Sequence, residues 1–414
     1  MLRINKLGAL LCLLPSLLFG QSRSTLSLDA ILQKIDSANL MLQLYGLKAE
    51  SYKHSAAAAT GWMAPMVGAG TFMTPYPLQK IMDGRDKGSL MFRAEQEIPN
   101  RAKQNARRDF IASQGNIELA ARTVTVNDYH AEAKRLYYDW MVAQQRINIL
   151  RENEKIMETM KKIEALRYPY NQSSLGDIYK IDARIEENRN RISTQEGEIE
   201  RSRAWLNSLM NQPGEDFDID ALQAPEFRPM IHDTALLSEV RGDVLKIDES
   251  IRSMQLNIQS TRQEKKPDFK VQLDHMRAFD PMMPKSFSVM GMISIPIAPW
   301  SSKTYKSELK SMQLNVEAME KERSALLQET RGRLSGLQFE ILHTQKRILA
   351  LESKIIPSLQ KSLDVNLLAY QENKLQAAVV IDSWEALNMM QLDLLDEKLT
   401  LYQMIVEYEK EIYR

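Results

Sequence analysis

The chain writes one plan twice, and that repetition constrains its fold more than any single motif. Near residue 98 it reads Glu97-Ile98-Pro99-Asn100, followed by Arg101, Lys103, Arg107, Arg108 and a long helical pattern. Near residue 295 it reads Ser294-Ile295-Pro296-Ile297, followed by Lys303, Lys306, Lys310 and a second long helical pattern. Self-similarity at so long a period determines the architecture. The plan predicts a first repeat over 21–211, a linker rich in proline and acidic residues over 212–229, and a second repeat over 230–414.

Hydrophobic periods place the elements in each repeat. In the first, a helix starts near Leu26, capped by Ser27 or a neighbour, and continues to Ala56–Ala59. Strands follow over 63–72 and 89–98, then a helix of about sixty residues to Arg167. Tyr168-Pro169-Tyr170-Asn171 breaks it, a helix runs over 174–210, and Pro213-Gly214 closes the half. In the second, a helix runs from Asp233 to Lys265, with Arg241-Gly242-Asp243 inside it. Pro267 ends it, strands occupy 268–278 and 286–295, and a long helix starts at Ser302. A break near 371–374 precedes a last helix ending near Tyr413. Only 16 glycines and 15 prolines punctuate 414 residues, which is sparse for a compact mixed fold and suits long helices.

The N-terminus has Arg3 and Lys6, an apolar run from Leu7 to Phe19, and then Gly20, Gln21 and Ser22. This is the layout of a secretory signal peptide over 1–20. Its removal takes away Cys12, the one cysteine, and leaves a chain without disulfides, thiolate metal sites or a catalytic thiol. Beyond Gly20 no run of about 18 apolar residues occurs, so a transmembrane helix is not expected. If the exported chain enters a membrane, it does so as a barrel. Lysine plus arginine and aspartate plus glutamate balance at 54 each, so no global field points to nucleic acid.

The strand segments alternate strictly. Phe287, Val289, Gly291, Ile293 and Ile295 share one face of a strand, with Ser286, Ser288, Met290, Met292 and Ser294 on the other. Phe269, Val271 and Leu273 oppose Lys270, Gln272 and Asp274, and Leu90, Phe92, Ala94 and Ile98 oppose Met91, Arg93, Glu95 and Glu97. Arg93, Glu95, Met290 and Met292 are therefore candidate lumen-facing residues, with the apolar face toward lipid. Four strands cannot close around a lumen, and an open edge in hydrocarbon leaves backbone groups without partners. Three copies would supply twelve strands. A half-buried sheet in a soluble domain shows the same alternation, and the pattern alone leaves both open.

From Ser302 to Ala369 apolar residues keep a seven-residue beat, Leu334, Ile341, Ile348 and Ile355, with Leu337 and Leu351 between them, as in a coiled coil. Pro357 should bend or break it locally. No phosphate-binding loop, paired histidines at metal spacing or nucleophile elbow occurs. His54, His130, His232, His275 and His343 are scattered surface residues in this reading. The chain reads as no enzyme and implies no cofactor and no confident metal site.

Together these features resemble the TolC-like outer-membrane efflux family. Leu26-Ser27-Leu28-Asp29-Ala30-Ile31 is similar to the family's N-terminal helix start, Lys266-Pro267-Asp268-Phe269 to its approach to the third strand, and Ile295-Pro296-Ile297 to its departure from the fourth. The most specific likeness is Tyr370-Gln371-Glu372-Asn373-Lys374 followed by Val380-Ile381-Asp382-Ser383-Trp384-Glu385-Ala386-Leu387, which resembles the signature of the periplasmic tip. Tyr168, with Asp177 to Ala183, resembles its counterpart in the first half.

The resemblance implies a mainly α fold with a small β part: long antiparallel coiled-coil helices form a trimeric α-barrel, and each protomer gives four strands to a shared 12-stranded transmembrane β-barrel. It implies an outer-membrane location with a periplasmic helical portion. Partners would be a periplasmic adaptor, an inner-membrane pump of the RND type and outer-membrane lipid. Asp382, Tyr370, Tyr168 and Asp177 become candidate gate residues, Asp382 as a ring of three carboxylates and Tyr370 as a hydrogen bond holding the tip closed. The sequence departs from the family pattern at Asn373, where glycine is usual, at Gly242, where proline is common, and at Val379, where some members carry a second aspartate. Ile356-Pro357 resembles the heavy-metal branch. The 23 methionines, several around the strands, would suit soft metal ions, although methionine is also common apolar filler. The resemblance thus implies a cargo of metal ions, drugs or other small molecules. The competing reading is a soluble periplasmic coiled-coil scaffold or adaptor.

Overall fold

The computed structural model describes residues 24–220, 224–230, 233–295 and 299–413. The signal-peptide reading with Cys12, His232, and Pro296 and Ile297 of the second Ile-Pro motif lie outside them. The described chain opens with β1 (Ser24–Leu26), α1 (Leu28–Ala38) and α2 (Leu40–Ala58), followed by β2 (Met66–Phe72) and β3 (Ser89–Ile98). Next come α3 (Arg101–Arg167), α4 (Leu175–Leu209) and β4 (Phe217–Ile219). The second half holds α5 (Thr234–Val240), α6 (Gly242–Gln263), β5 (Asp268–Ala278), β6 (Ser286–Ser294), α7 (Pro299–Ala350), α8 (Ile356–Gln371) and α9 (Ala377–Glu411).

Local chemistry sets the boundaries. Ser27 accepts the Ala30 N–H, Asn100 the Ala102 N–H and Ser174 the Gly176 N–H, so each begins a helix by satisfying a donor that has no intrahelical partner. The single first helix expected from the sequence is two, because Asn39 turns extended and accepts the N–H groups of Met41 and Leu42.

The same happens at Arg241, which the sequence reading placed within a helix: its backbone is extended (φ −80°, ψ 120°) and ends α5. Its buried guanidinium bonds Asp243 at 2.6 Å and Glu411 at 2.7 Å, and Glu411 also receives Arg333 at 2.6 Å. These bonds offset the cost of burying the charge. A Cβ at Gly242 would lie 2.8 Å from the Tyr413 ring and 2.9 Å from a Thr123 methyl, so close approach explains the glycine there.

The expected linker over 212–229 is also partly structured. β4 pairs parallel with β1, Ser24 opposite Phe217 and Leu26 opposite Ile219. Phe217 is buried against Trp140, ring centroids 5.4 Å apart. Three residues flanked by Asp and Pro-Gly are too short for a period to show.

At about 1.5 Å per residue, the 67 residues of α3 span about 100 Å. They support two cores. The larger gathers Trp140, Met141, Val142, Leu206, Leu334, Ile341 and Ile405, and the second, toward the helical tip, gathers Met157, Met160, Ile181, Leu363, Tyr370, Val380 and Trp384. A polar layer separates them: Asn153 donates to Asn388 at 3.1 Å and to Gln391 at 3.3 Å, and Asn188 donates to the Leu150 carbonyl at 2.6 Å. Such layers fix which residues sit opposite which in a long helical pair.

The seven-residue beat holds and then slips. Leu334, Ile341 and Ile348 are buried, but Ile355 is exposed. A π turn over Leu351–Ile355 closes with Ile356 N–H bonded to Leu351 O, five residues back. The extra residue moves the seam to Ile356, Leu363 and Tyr370. Pro357, which lacks an N–H, sits in the first turn of α8 and accounts for the local break.

Candidate pore wall and tip

The four-stranded sheet has the order β2-β3-β5-β6 and is antiparallel throughout, with β3 and β5 joining the two halves. Its register builds rows across the strands. Gly68, Arg93, Asp274 and Ser288 form one row; Met66, Glu95, Gln272 and Met290 the next; Glu97, Lys270 and Met292 a third. Thus the sequence-predicted Arg93, Glu95, Met290 and Met292 share one face. On it Arg93 Nε donates to Asp274 Oδ1 at 2.8 Å, Gln272 Nε2 donates to Asp274 Oδ2 at 2.7 Å, and Lys270 pairs with Glu95.

The opposite face carries Val67, Phe92, Phe269, Val271, Leu273, Phe287, Val289 and Ile293, and nothing among the described residues covers it: Val67 is 81% exposed, Phe287 75% and Val289 62%. Asp274 and Gln272 on the polar face are buried. The sheet is therefore inverted relative to a water-soluble one, where the apolar face would be packed. Both edge strands, β2 and β6, have one side without a partner strand among the described residues. A half-buried sheet of a soluble domain does not have this arrangement.

At the far end of the helices the chain turns twice with the same backbone. After α3, the Asn171 N–H bonds Tyr168 O at 3.0 Å and Gln172 N–H bonds Arg167 O at 3.2 Å; after α8, Asn373 N–H bonds Tyr370 O at 3.0 Å and Lys374 N–H bonds Ala369 O at 2.9 Å. Both asparagines are left-handed, φ 58° and 61°, a conformation that asparagine tolerates better than most side chains. Asn373 can therefore stand where the family pattern has glycine.

The tyrosines of the two turns differ. Tyr370 is 1% exposed, and its hydroxyl donates to the buried carboxylate of Glu164. Arg167 lies over the Tyr370 ring, 4.6 Å from its centroid, and donates to the carbonyls of Tyr370 at 2.7 Å and Gln371 at 3.2 Å. Burial first, and then the bond to Glu164, pushes the Tyr370 pKa well above the ordinary tyrosine value. Asp177, half-buried in the first turn of α4, adds to that shift through its field. Tyr168 is largely exposed and outside this cluster.

Asp382 is exposed on α9 between the buried Ile381 and Trp384, with no hydrogen bond or ion pair among the described residues. Nearby, Ser383 accepts from Asn366 at 2.7 Å and ties α8 to α9. The structure thus brings Tyr370 and Asp177 together and leaves Tyr168 and Asp382 facing outward.

Glu164 and Arg167 were not singled out from the sequence. A signal existed: Asn153, Met157, Met160 and Glu164 follow the three- and four-residue steps of one buried stripe, and a carboxylate on such a stripe requires a partner. His54, His275 and His343 are exposed, while His130 Nε2 lies 2.7 Å from Asp36 Oδ1. Among the described residues no group of three His, Cys, Asp or Glu side chains is placed to hold a metal ion, and no helix is long and apolar enough to cross a membrane.

Solved structures share this architecture. CusC, which forms a transmembrane channel, is similar with a TM-score of 0.75 and 13% identity over 93% of this chain and 91% of its own. The outer membrane protein VceC from Vibrio cholerae gives 0.70 and 13%, covering 93% and 95%. The MtrE outer membrane channel of Neisseria gonorrhoeae, in its open state, gives 0.71 and 15%, covering 93% and 88%. The chain has the fold of outer-membrane channels. It shares with them the long helices and the small antiparallel sheet of four strands. No family model matches the sequence and no curated protein aligns with it, so the likeness is one of fold.

Proposed function

We propose that the chain is one protomer of a trimeric outer-membrane efflux channel, a passive conduit and not an enzyme. The inverted sheet carries this reading: its apolar face is bare, four of the charges on its polar face are paired with one another, and both edges are open. Three such sheets joined edge to edge make twelve strands and leave no backbone group unpaired in lipid. Eleven residues of β5, at about 3.4 Å each and tilted about 45°, rise about 25 Å, the height of the apolar band of an outer-membrane barrel.

Below the barrel the helices would cross the periplasm to meet an adaptor and an inner-membrane pump of the RND type, which supplies the energy. Three exposed Asp382 carboxylates would face one another at the tip, where mutual repulsion favours opening, while the bond from Tyr370 to Glu164 holds each hairpin closed. Cargo would be metal ions or small organic molecules. The methionines Met66, Met91, Met276, Met290 and Met292 all fall in inner-face rows, and thioethers suit soft ions. Growth of a deletion strain on copper, silver and a panel of antibiotics separates the two.

The decisive experiment is fractionation. The mature protein should partition with outer membranes, run as an SDS-resistant trimer at room temperature, and give single-channel currents in planar bilayers. A water-soluble monomer would overturn the proposal. In the same bilayers Asp382→Ala, which removes that repulsion, should lower the leak of small ions, and wild-type conductance would remove Asp382 from the gate.

A further inference from the structure

The polar face of the sheet carries more than a hydrophilic lining, because its charges are arranged in pairs with a remainder. Arg93 Nε and Nη2 reach Asp274 at 2.8 and 3.5 Å. Gln272 holds the other side of that carboxylate at 2.7 Å. Asp274 is 5% exposed, so it lies against the wall while the Arg93 side chain, 43% exposed, faces the space inside. Lys270 pairs with Glu95 and stands opposite Glu97 in the register. Glu97 is exposed and has no ion pair among the described residues. Asp268, at the start of the same strand, is taken up by Lys103 of α3 at 2.8 Å. Setting that pair aside, the face carries two cations, Arg93 and Lys270, against three anions, Glu95, Glu97 and Asp274.

We propose that these five side chains set the ion preference of the barrel: the pairs cancel, Glu97 remains, and the lumen weakly favours cations. Asp274 and Glu95 are then specificity-determining residues, since each masks a base that would otherwise attract anions. The inference rests on the conduit reading above. In a threefold assembly each change acts three times at one height, and a ring of three charges at pore-radius distances, screened by about 0.1 M salt, shifts a permeability ratio about threefold.

The test is the reversal potential of purified trimers in planar bilayers under a potassium chloride gradient. Wild type should favour potassium modestly. Asp274→Asn should lower the preference about threefold, Glu95→Gln should do the same independently, and the two together should lower it further toward chloride, in the presence of the unchanged Asp382 ring. Arg93→Gln combined with Asp274→Asn should return the ratio to wild type, a restoration that a merely structural role would not produce. If one single variant does not assemble, the other carries the test, because the two pairs are separate. Unchanged ratios in assembled, conducting variants overturn the inference and leave the conduit reading intact. Absence of any channel in wild type instead overturns the conduit reading, and the inference with it.

Discussion

The two turns at the helical tip share one backbone and put it to different uses. Both follow a tyrosine by three residues with a left-handed asparagine, and both close with the same pair of hydrogen bonds. One tyrosine is sealed under Arg167 and bound to Glu164; the other stands largely in solvent. The two turns therefore share their backbone geometry and not the role of the tyrosine side chain. A backbone turn needs only a residue that tolerates positive φ, whereas a buried hydroxyl needs a neighbour that can accept its proton.

The largest way to break this comparison is Tyr370→Ala. It removes a fully buried ring and leaves the Glu164 carboxylate without its donor, so the tip core should lose about 3–5 kcal/mol. Hydrogen exchange along α8 and α9 reads the loss, and unchanged protection near Leu363 and Val380 would refute the packing role. Tyr370→Phe keeps the ring and deletes the bond. Its cost should be about 1–3 kcal/mol, concentrated at the tip, with larger single-channel conductance if the bond restrains opening.

High pH sharpens the contrast without mutation. The folded Tyr370 pKa is raised above the unfolded value of about 10. Its stabilising contribution is therefore complete below about pH 10 and is lost as pH rises toward the folded value. Exchange at the α8–α9 tip should accelerate above pH 10 in wild type and less so in Tyr370→Phe. Tyr137, pushed up to about 12 by burial and by Asp220, lies in the larger core, so its own loss of stability would be seen there and not at the tip. Replacing Asn171 or Asn373 by valine should each cost about 1–2 kcal/mol, since both need positive φ. Equal costs would show that the two turns are equivalent as backbone. The smallest effect belongs to Tyr168→Ala, within about 0.5 kcal/mol; a larger value would show that the first tip is also locked.

Much of this was legible in the sequence. The third and fourth strands and the breaks after Arg167 and Tyr370 follow from alternation and punctuation, because alternation marks two different environments and Pro and Asn mark where a helix stops. Long seams such as Leu334 to Ile348 follow from their seven-residue beat. What stayed hidden was set by partners distant in the chain. Glu164 meets Tyr370 206 residues away, and Arg241 meets Glu411 170 residues away, so neither carries a local mark. β4 was too short, and the extended residues Asn39 and Arg241 interrupt helices whose propensities alone would run on. Which face of the sheet is bare also needed the structure, since alternation records two environments without saying which is solvent.

The π turn at Leu351–Ile355 gives the long helical rod one residue of slack. Above it the packed row repeats every seventh position, below it the row resumes in the same rhythm, and the spare residue is absorbed in a single widened loop. The widened turn works like a vernier: two packed rows that are out of step by one residue both keep their teeth engaged. Excising Glu352 should draw out the slack, straighten the rod and leave the two segments locked as one.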